Sequence, residues 1–351
     1  MHQAADQLRT LAPALAFLLT GVPLAALLDR LGFFDAVAVA IARHRADISV
    51  GVLWALAAAT TVVLNLDTTI VLLTPLYVRI ARRGRTDPLP LAVVPLLLAC
   101  LASSVLPVSN LTTLIVVDRY DLGVSDVLTY LALPSLTACA VGWLAYRRRH
   151  PTTVPAGAPG PLDRRALRIG TAVTAGLLVG FVLGPSVGLH PWAVALVADV
   201  VLCVITRTVP WRDVPVVTAF AIAAVGVAVA LAVPGGAFRD LMHADSPAAL
   251  VGVVGLATIA ANAVNNLPAL LAAIDGVHRV GWGTWAWLLG VNTGAVLLPI
   301  GAIANLLWRR ILREERLAVP IGTYVRVTVP VALPALAAAA TVLALERLVA
   351  G

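Results

Sequence analysis

The chain has 351 residues, of which 60% are hydrophobic and 12% charged, and its formal charge of +7 comes wholly from arginine because it contains no lysine. A soluble domain carries about 25% charged residues, so a soluble enzyme is excluded and a polytopic membrane protein is indicated. The arginines fall in short loops between apolar runs, where they act as determinants of topology, and no nucleic-acid partner is expected.

A helix needs about 20 apolar residues to span a bilayer. Leu8–Leu28 meets this and is expected to be a retained helix, since no basic stretch precedes it and no small-residue cleavage site follows. Gly32–Arg45 is shorter, ends in charge and suits an interfacial helix. Residues 46–83 are too long for one span. They carry N-L-D-T-T in the middle and arginines near both ends (Arg43 and Arg45; Arg79, Arg82 and Arg83). Arginine favours the cytoplasmic side, so the segment is expected to be a re-entrant hairpin from inside, its tip at Asn65–Thr69. Residues 89–117 break at P-V-S-N-L-T-T and read as two half-helices crossing outward. Val124–Tyr146 returns to Arg147, Arg148 and Arg149.

Residues 147–168, rich in Pro, Gly and Thr, read as a cytoplasmic linker with no core of its own. Ile169–Val187 and Trp192–Ile205 are two spans, and Val214–Val233 is a third. Gly235–Ser246 is a polar external piece. Residues 247–278 form a second expected hairpin, entering from outside with its tip at N-N-L-P. Residues 282–312 form a second broken crossing, and Thr323–Leu348 closes the chain. Residues 1–146 and 169–351 therefore read as two repeats of inverted topology, the second led by two extra spans.

In hydrocarbon an unpaired backbone group costs several kcal/mol, so breaks survive only where they are buried in protein or line a polar cavity. Broken segments with carboxamides at the break mark the central site of a transporter. The candidate solute-binding residues are Asn65, Thr68, Thr69, Ser109, Asn110, Thr112, Asn265, Asn266, Asn292 and Thr293, all able to hydrogen-bond a small polar solute. No arginine falls near a tip, which suits a neutral hydroxylated solute or a small anion held by helix dipoles. Asp67 is the acid at a tip. Desolvation favours its neutral form and the helix ends favour the carboxylate, which makes it the first candidate for ion or proton coupling. Asp199, in the span 192–205, is the second. Trp282, Trp285 and Trp287 read as an interfacial belt. The cysteines, Cys100, Cys139 and Cys203, lie in apolar spans without short ligand spacing and read as small hydrophobes. No metal site and no cofactor is expected.

These residues resemble the arsenite and antimonite efflux permeases, the arsenical pump membrane proteins of the ion transporter superfamily. The resemblance rests on Asp67 with Thr74–Pro75, on Ser109–Asn110–Leu111, on N-N-L-P at 265–268 and on P-I-G-x-x-A-x-L-L-W from Pro299 to Trp308. G-F-F at 32–34 and V-P-W-R-D-V-P at 209–215 extend it along nearly the whole chain. The sequence departs from the family at Leu66, where the family has Asn, and at Ala295, Leu298 and Ala302. Family members also carry about two further N-terminal spans. The resemblance implies an all-α polytopic membrane protein with the inverted-repeat ion transporter fold, two re-entrant hairpins and two broken helices. It further implies a multi-pass protein of the cell membrane exporting arsenite or antimonite against protons. A homodimer and an associated ATPase subunit are the partners it allows.

Three readings share this fold: metalloid efflux in exchange for protons, sodium- or proton-coupled transport of a small anion such as a dicarboxylate, and sodium–proton exchange. A membrane enzyme is a distant alternative. It would need H-E-x-x-H, paired aspartates or a Ser-His pair at mid-depth, and the sequence has none. The inverted topology has a direct check by cysteine labelling from outside. A cysteine at position 280 should react and one at 157 should not; the opposite pattern would overturn the inverted repeat.

Overall fold

The computed structural model describes residues 2–44, 46–63, 65–158 and 160–350, and it is almost wholly helical. Arg45, read above as flanking the first hairpin, and Pro159 of the linker lie outside the described residues. The first half comprises α1 (His2–Arg30), α2 (Phe33–His44), α3 (Val50–Val63), α4 (Leu66–Arg83), α5 (Pro88–Leu101), α6 (Leu111–Tyr120), α7 (Val124–Val127) and α8 (Leu133–Arg147). The second comprises α9 (Arg164–Leu183), α10 (Pro191–Thr206), α11 (Val216–Ala232), α12 (Arg239–Met242), α13 (Pro247–Val264) and α14 (Asn266–Ile274). It closes with α15 (Trp282–Thr293), α16 (Ile303–Glu314) and α17 (Ile321–Val349). Leu11–Arg30, Val124–Arg147, Pro247–Val264 and Ile321–Val349 are each long and apolar enough to cross a bilayer.

Helix 3 and helix 4 fold back on each other. The Tyr77 hydroxyl near the end of α4 donates to the Leu53 carbonyl near the start of α3 at 2.5 Å, and Thr61 donates to Thr69 at 2.9 Å beside the turn. Both open ends lie at the arginine-rich end of the molecule, where Arg82 bonds Glu315 beyond α16. The second hairpin, α13–α14, opens at the other end. There the Gly236 amide donates to the Asp275 carbonyl at 3.0 Å and Tyr120 donates to Val277 at 3.2 Å. In the structure the two hairpins therefore open at opposite ends of the bundle.

Helix 5 shows why the bundle holds together. Every residue from Leu91 to Leu101 is buried, as expected of a helix that is apolar all round. Its neighbours spend their polar atoms on its backbone: Trp308 donates to Ala92 at 2.7 Å and Tyr146 to Pro90 at 2.8 Å. The outward faces of α10 and α11 are apolar and bare. Val204 is 73% exposed and Phe220 77%, the pattern of a surface that meets lipid and not water.

Two features depart from the sequence reading. Trp285 and Trp287 do not form an interfacial belt; they are 3% and 1% exposed. Trp285 stacks on Tyr130 and Trp287 packs on Phe238, so these rings fill the core behind the second broken helix. The linker is also tied down. Its strand β2 (Thr153–Pro155) pairs antiparallel with β1 (Asp47–Ser49), so the chain between the halves braces the base of the first hairpin.

Close approach of α13 and α15 positions the second break. Gly290 and Gly294 form a small-xxx-small stripe, and a Cβ on Gly290 would lie 2.5 Å from the Val254 carbonyl oxygen. A Cβ on Gly252, on the same pair of helices, would meet nothing within 4 Å. Gly290→Ala should therefore destabilise the protein by about 1–3 kcal/mol. Gly252→Ala should be neutral or stabilise by up to about 1 kcal/mol. Thermal unfolding in detergent measures both, and equal effects would mean that the stripe does not set the packing.

Candidate functional site

The four breaks meet. Leu66 and Asp67 open α4, Leu111 and Thr112 open α6, Asn266 and Leu267 open α14, and Ile303 opens α16. Together with Asn110 they line one cavity of about 30 Å³, room for roughly two water-sized groups. Each helix presents its first turn to this space, where backbone N–H groups lack intrahelical partners. Four positive dipole ends thus converge on one point, each worth up to about 2 kcal/mol to an anion or an oxygen lone pair in partly buried geometry. No cationic side chain lines the cavity, and Asp67 is the acid in its wall.

The carboxamides and hydroxyls divide into those that face the cavity and those that hold its walls. Asn65 caps α4, its Oδ1 accepting from the Thr68 amide at 2.7 Å, and Thr69 bonds back to the Asn65 carbonyl at 3.0 Å. Thr68 is buried beside α1. Ser109 bonds within its own loop, to the carbonyls of Ser103 at 2.9 Å and Leu106 at 2.5 Å. Asn110 caps α6 through the Thr112 amide at 3.1 Å and donates to Ser103 at 3.2 Å. Asn292 joins the halves: it accepts from Thr112 at 2.5 Å and donates to Ser104 at 2.9 Å and Thr113 at 3.1 Å. Thr293 is buried behind it and does not line the cavity. From the sequence-derived set, the structure brings Asp67, Asn110, Thr112 and Asn266 to the cavity wall.

The second break is held by residues that the sequence reading passed over. The Asn262 side chain donates to the Gly294 carbonyl at 2.8 Å and accepts from the Leu298 amide at 2.7 Å. The Asn305 side chain donates to Ala295 at 2.8 Å and Leu298 at 3.0 Å. Asn265 reaches the Ile300 carbonyl at 2.9 Å, and the Asn266 amide donates to Gly301 at 2.8 Å. The signal for Asn262 and Asn305 was available: each is a lone carboxamide in an apolar helix within a turn of a break. Asn265 itself sits at φ 82°, ψ 148°. That region disfavours any side chain and costs on the order of 1–3 kcal/mol, so its own hydrogen bonds hold the turn in place.

Asp67 stands between two spaces. One is the cavity at the tips; the other, on the α1 side, is lined by Phe17, Gly21, Val22, Thr68, Val71 and Leu307 among others. Its Oδ1 is buried and has no hydrogen-bond partner, an arrangement that favours a group able to exchange a proton or bind an ion. Asp199 is elsewhere. It is 7% exposed on α10, which packs against α1, and it lines none of these spaces. Among the described residues no group of three or more His, Cys, Asp or Glu could hold a metal ion.

Residues 9–290 match the family model described as Citrate transporter (CitMHS). The chain is similar to the arsenical pump membrane protein of Yersinia enterocolitica, 26% identical over 91% of this chain and 83% of the relative. An Escherichia coli protein of the same description is 27% identical with the same coverage. The fold resembles that of the YdaH transporter of Alcanivorax borkumensis, with a TM-score of 0.52 and 16% identity over 97% of this chain and 86% of that one. With helix ends gathered on one small polar cavity inside an apolar bundle, these likenesses identify a multi-pass transporter of the cell membrane, and the chain belongs to the citrate transporter family.

Proposed function

We propose that the protein exports a small inorganic solute, arsenite or antimonite, in exchange for protons, with Asp67 as the coupling group. The observation that carries this reading is the cavity: four helix N-termini and one unpaired carboxylate around about 30 Å³, with no cationic side chain in the wall. As(OH)₃ is neutral, compact and rich in oxygen, and it matches such a surface through N–H donors and through the Asn266 and Thr112 side chains. The names of the curated relatives point to the same solutes. A carboxylate substrate is the second reading, favoured by the description of the family model. A tricarboxylate brings several negative charges, and the wall offers no arginine to balance them.

In this reading residues 1–146 and 169–351 act as the two inverted repeats, joined by the linker 147–168, with the arginine-rich end in the cytoplasm. Proton and solute compete for Asp67. The neutral acid weakens the hold on the solute's hydroxyls, and the carboxylate accepts from them, so each species displaces the other. The helix ends keep the charged form tolerable in a site that excludes water.

Everted membrane vesicles with an imposed pH gradient test the reading. The wild-type chain should accumulate labelled arsenite, and citrate in excess should not compete. Asp67→Asn keeps the size and the polar contacts but removes the titrating group. It should reduce gradient-driven accumulation by at least about tenfold while arsenite counterflow continues. Asn266→Ala should raise the half-saturating arsenite concentration several-fold at similar maximal rate. Citrate competition, or normal accumulation by Asp67→Asn, would remove the support for this reading.

A further inference from the structure

The space on the α1 side of Asp67 lies beside a vestibule of about 520 Å³ at the arginine-rich end. Val22 lines both, and the vestibule is bounded also by Asp29, Arg79, Arg82, Asp213 and Glu315. The cavity at the helix tips shares no lining residue with the vestibule, whereas it shares Asp67 with the α1-side space. We propose that Asp67 exchanges its proton with the arginine-rich end along a seam of α1 past Gly21 and Val22, separate from the cavity that takes the solute.

Three observations carry this beyond the coupling role of Asp67, on which it rests. The first is the adjacency of the spaces, which share Val22 and Asp67 as wall residues. Asp67 walls both inner cavities, and the α1-side one, at about 10 Å³, is on the order of a single water. The second is the make-up of α1 at this level. Gly21 has no side chain to close the seam. The third is the far end. In the vestibule Arg79 pairs with Asp29 at 2.6 Å, with Glu315 at 3.2 Å and with Asp35, and Arg30 pairs with Asp213 at 2.7 Å. Of these carboxylates Asp29 and Asp35 are nearly half exposed and can receive a proton that leaves Asp67.

The charged groups around Asp67 leave this route uncontested. Asp67 is the ionisable side chain in the lining of both inner spaces, and the Cys100 thiol on α5 is buried. The seam presents only Phe17, Leu18, Gly21, Val22 and Leu24 from α1 and Leu307 from α16; the cavity at the tips presents Ile303 from α16, Leu111 and Thr112 from α6, and Asn266 and Leu267 from α14. Val22, 3% exposed, is the residue that the two spaces share. Separate routes let a solute occupy the tips while the displaced proton leaves sideways, without waiting for the solute's path to clear.

The test uses the full chain with Val22→Cys, a nearly isosteric change, reconstituted in vesicles. During turnover it is treated with methyl methanethiosulfonate, which adds one methylthio group to the thiol and is removed by dithiothreitol. The unsubstituted chain, treated alike, reports on Cys100, Cys139 and Cys203. Two signals are read: solute-coupled proton flux with a pH-sensitive dye, and solute counterflow with no gradient. Treated Val22→Cys should lose coupled proton flux by at least about tenfold and keep counterflow, with recovery on reduction. Unchanged proton flux, equal loss of both signals, or a cysteine that never reacts during turnover would each overturn the seam. Absence of coupled flux in the untreated wild-type chain would instead overturn the proton-exchange reading on which the seam depends.

Discussion

Backbone that leaves its helix inside a membrane must find hydrogen-bond partners in the protein, and the rest of this structure depends on that requirement. Four helices start near the middle of the molecule, and carboxamides attend three of the starts directly as caps: Asn65 for α4, Asn110 for α6 and Asn265 for α14. The fourth, α16, has no side-chain cap. There the preceding loop is held from outside by Asn262 and Asn305, which between them satisfy Gly294, Ala295 and Leu298. A buried amide or carbonyl left unpaired costs about 1–3 kcal/mol, so these two side chains account for several such groups at once.

Most of the polar atoms at the breaks are engaged in holding structure. Asn292 has partners for both ends of its carboxamide in the first half of the chain, at Ser104, Thr112 and Thr113. It is a clasp between the two broken helices, and it keeps α6 and α15 in register. What faces the cavity is correspondingly spare: helix ends, Asn266, Thr112 and the unpaired carboxylate of Asp67. A site made mainly of backbone dipoles carries no formal positive charge, so it can hold a neutral or weakly charged solute without trapping it.

The arginine-rich end gathers elements from both halves of the chain. Arg79 and Arg82 project from the first hairpin and meet Glu315 beyond the second broken helix, while Arg79 also reaches Asp29 of α1 and Asp35 of α2. Single exposed ion pairs contribute about 1 kcal/mol or less. Here the value lies in geometry, because one guanidinium ties elements from both halves around the mouth of the vestibule. The β1–β2 ladder adds a second tie at the base of the same hairpin.

The sequence by itself determined the membrane class, the helical fold and the two hairpins. The reason is that bilayer thickness and the distribution of arginine act on short segments, and composition reports them directly. It also marked all four breaks, since Asn, Pro and Gly interrupt runs that would otherwise be continuous helix. What each carboxamide does was decided only by tertiary structure. Asn65, Asn266 and Asn292 are alike in sequence as polar residues at breaks, yet one caps its own helix, one faces the cavity and one clasps the opposite half. Asn262 and Asn305 went unread because their partners lie 32 and 10 residues away along the chain. Trp285 and Trp287 look like interfacial residues by type, and only the packing of α12 and the turn before α8 against α15 puts them in the core. Local pattern fixes where a helix starts and stops; which neighbour satisfies its free ends depends on contacts between segments remote in sequence, and those exist only in the folded bundle.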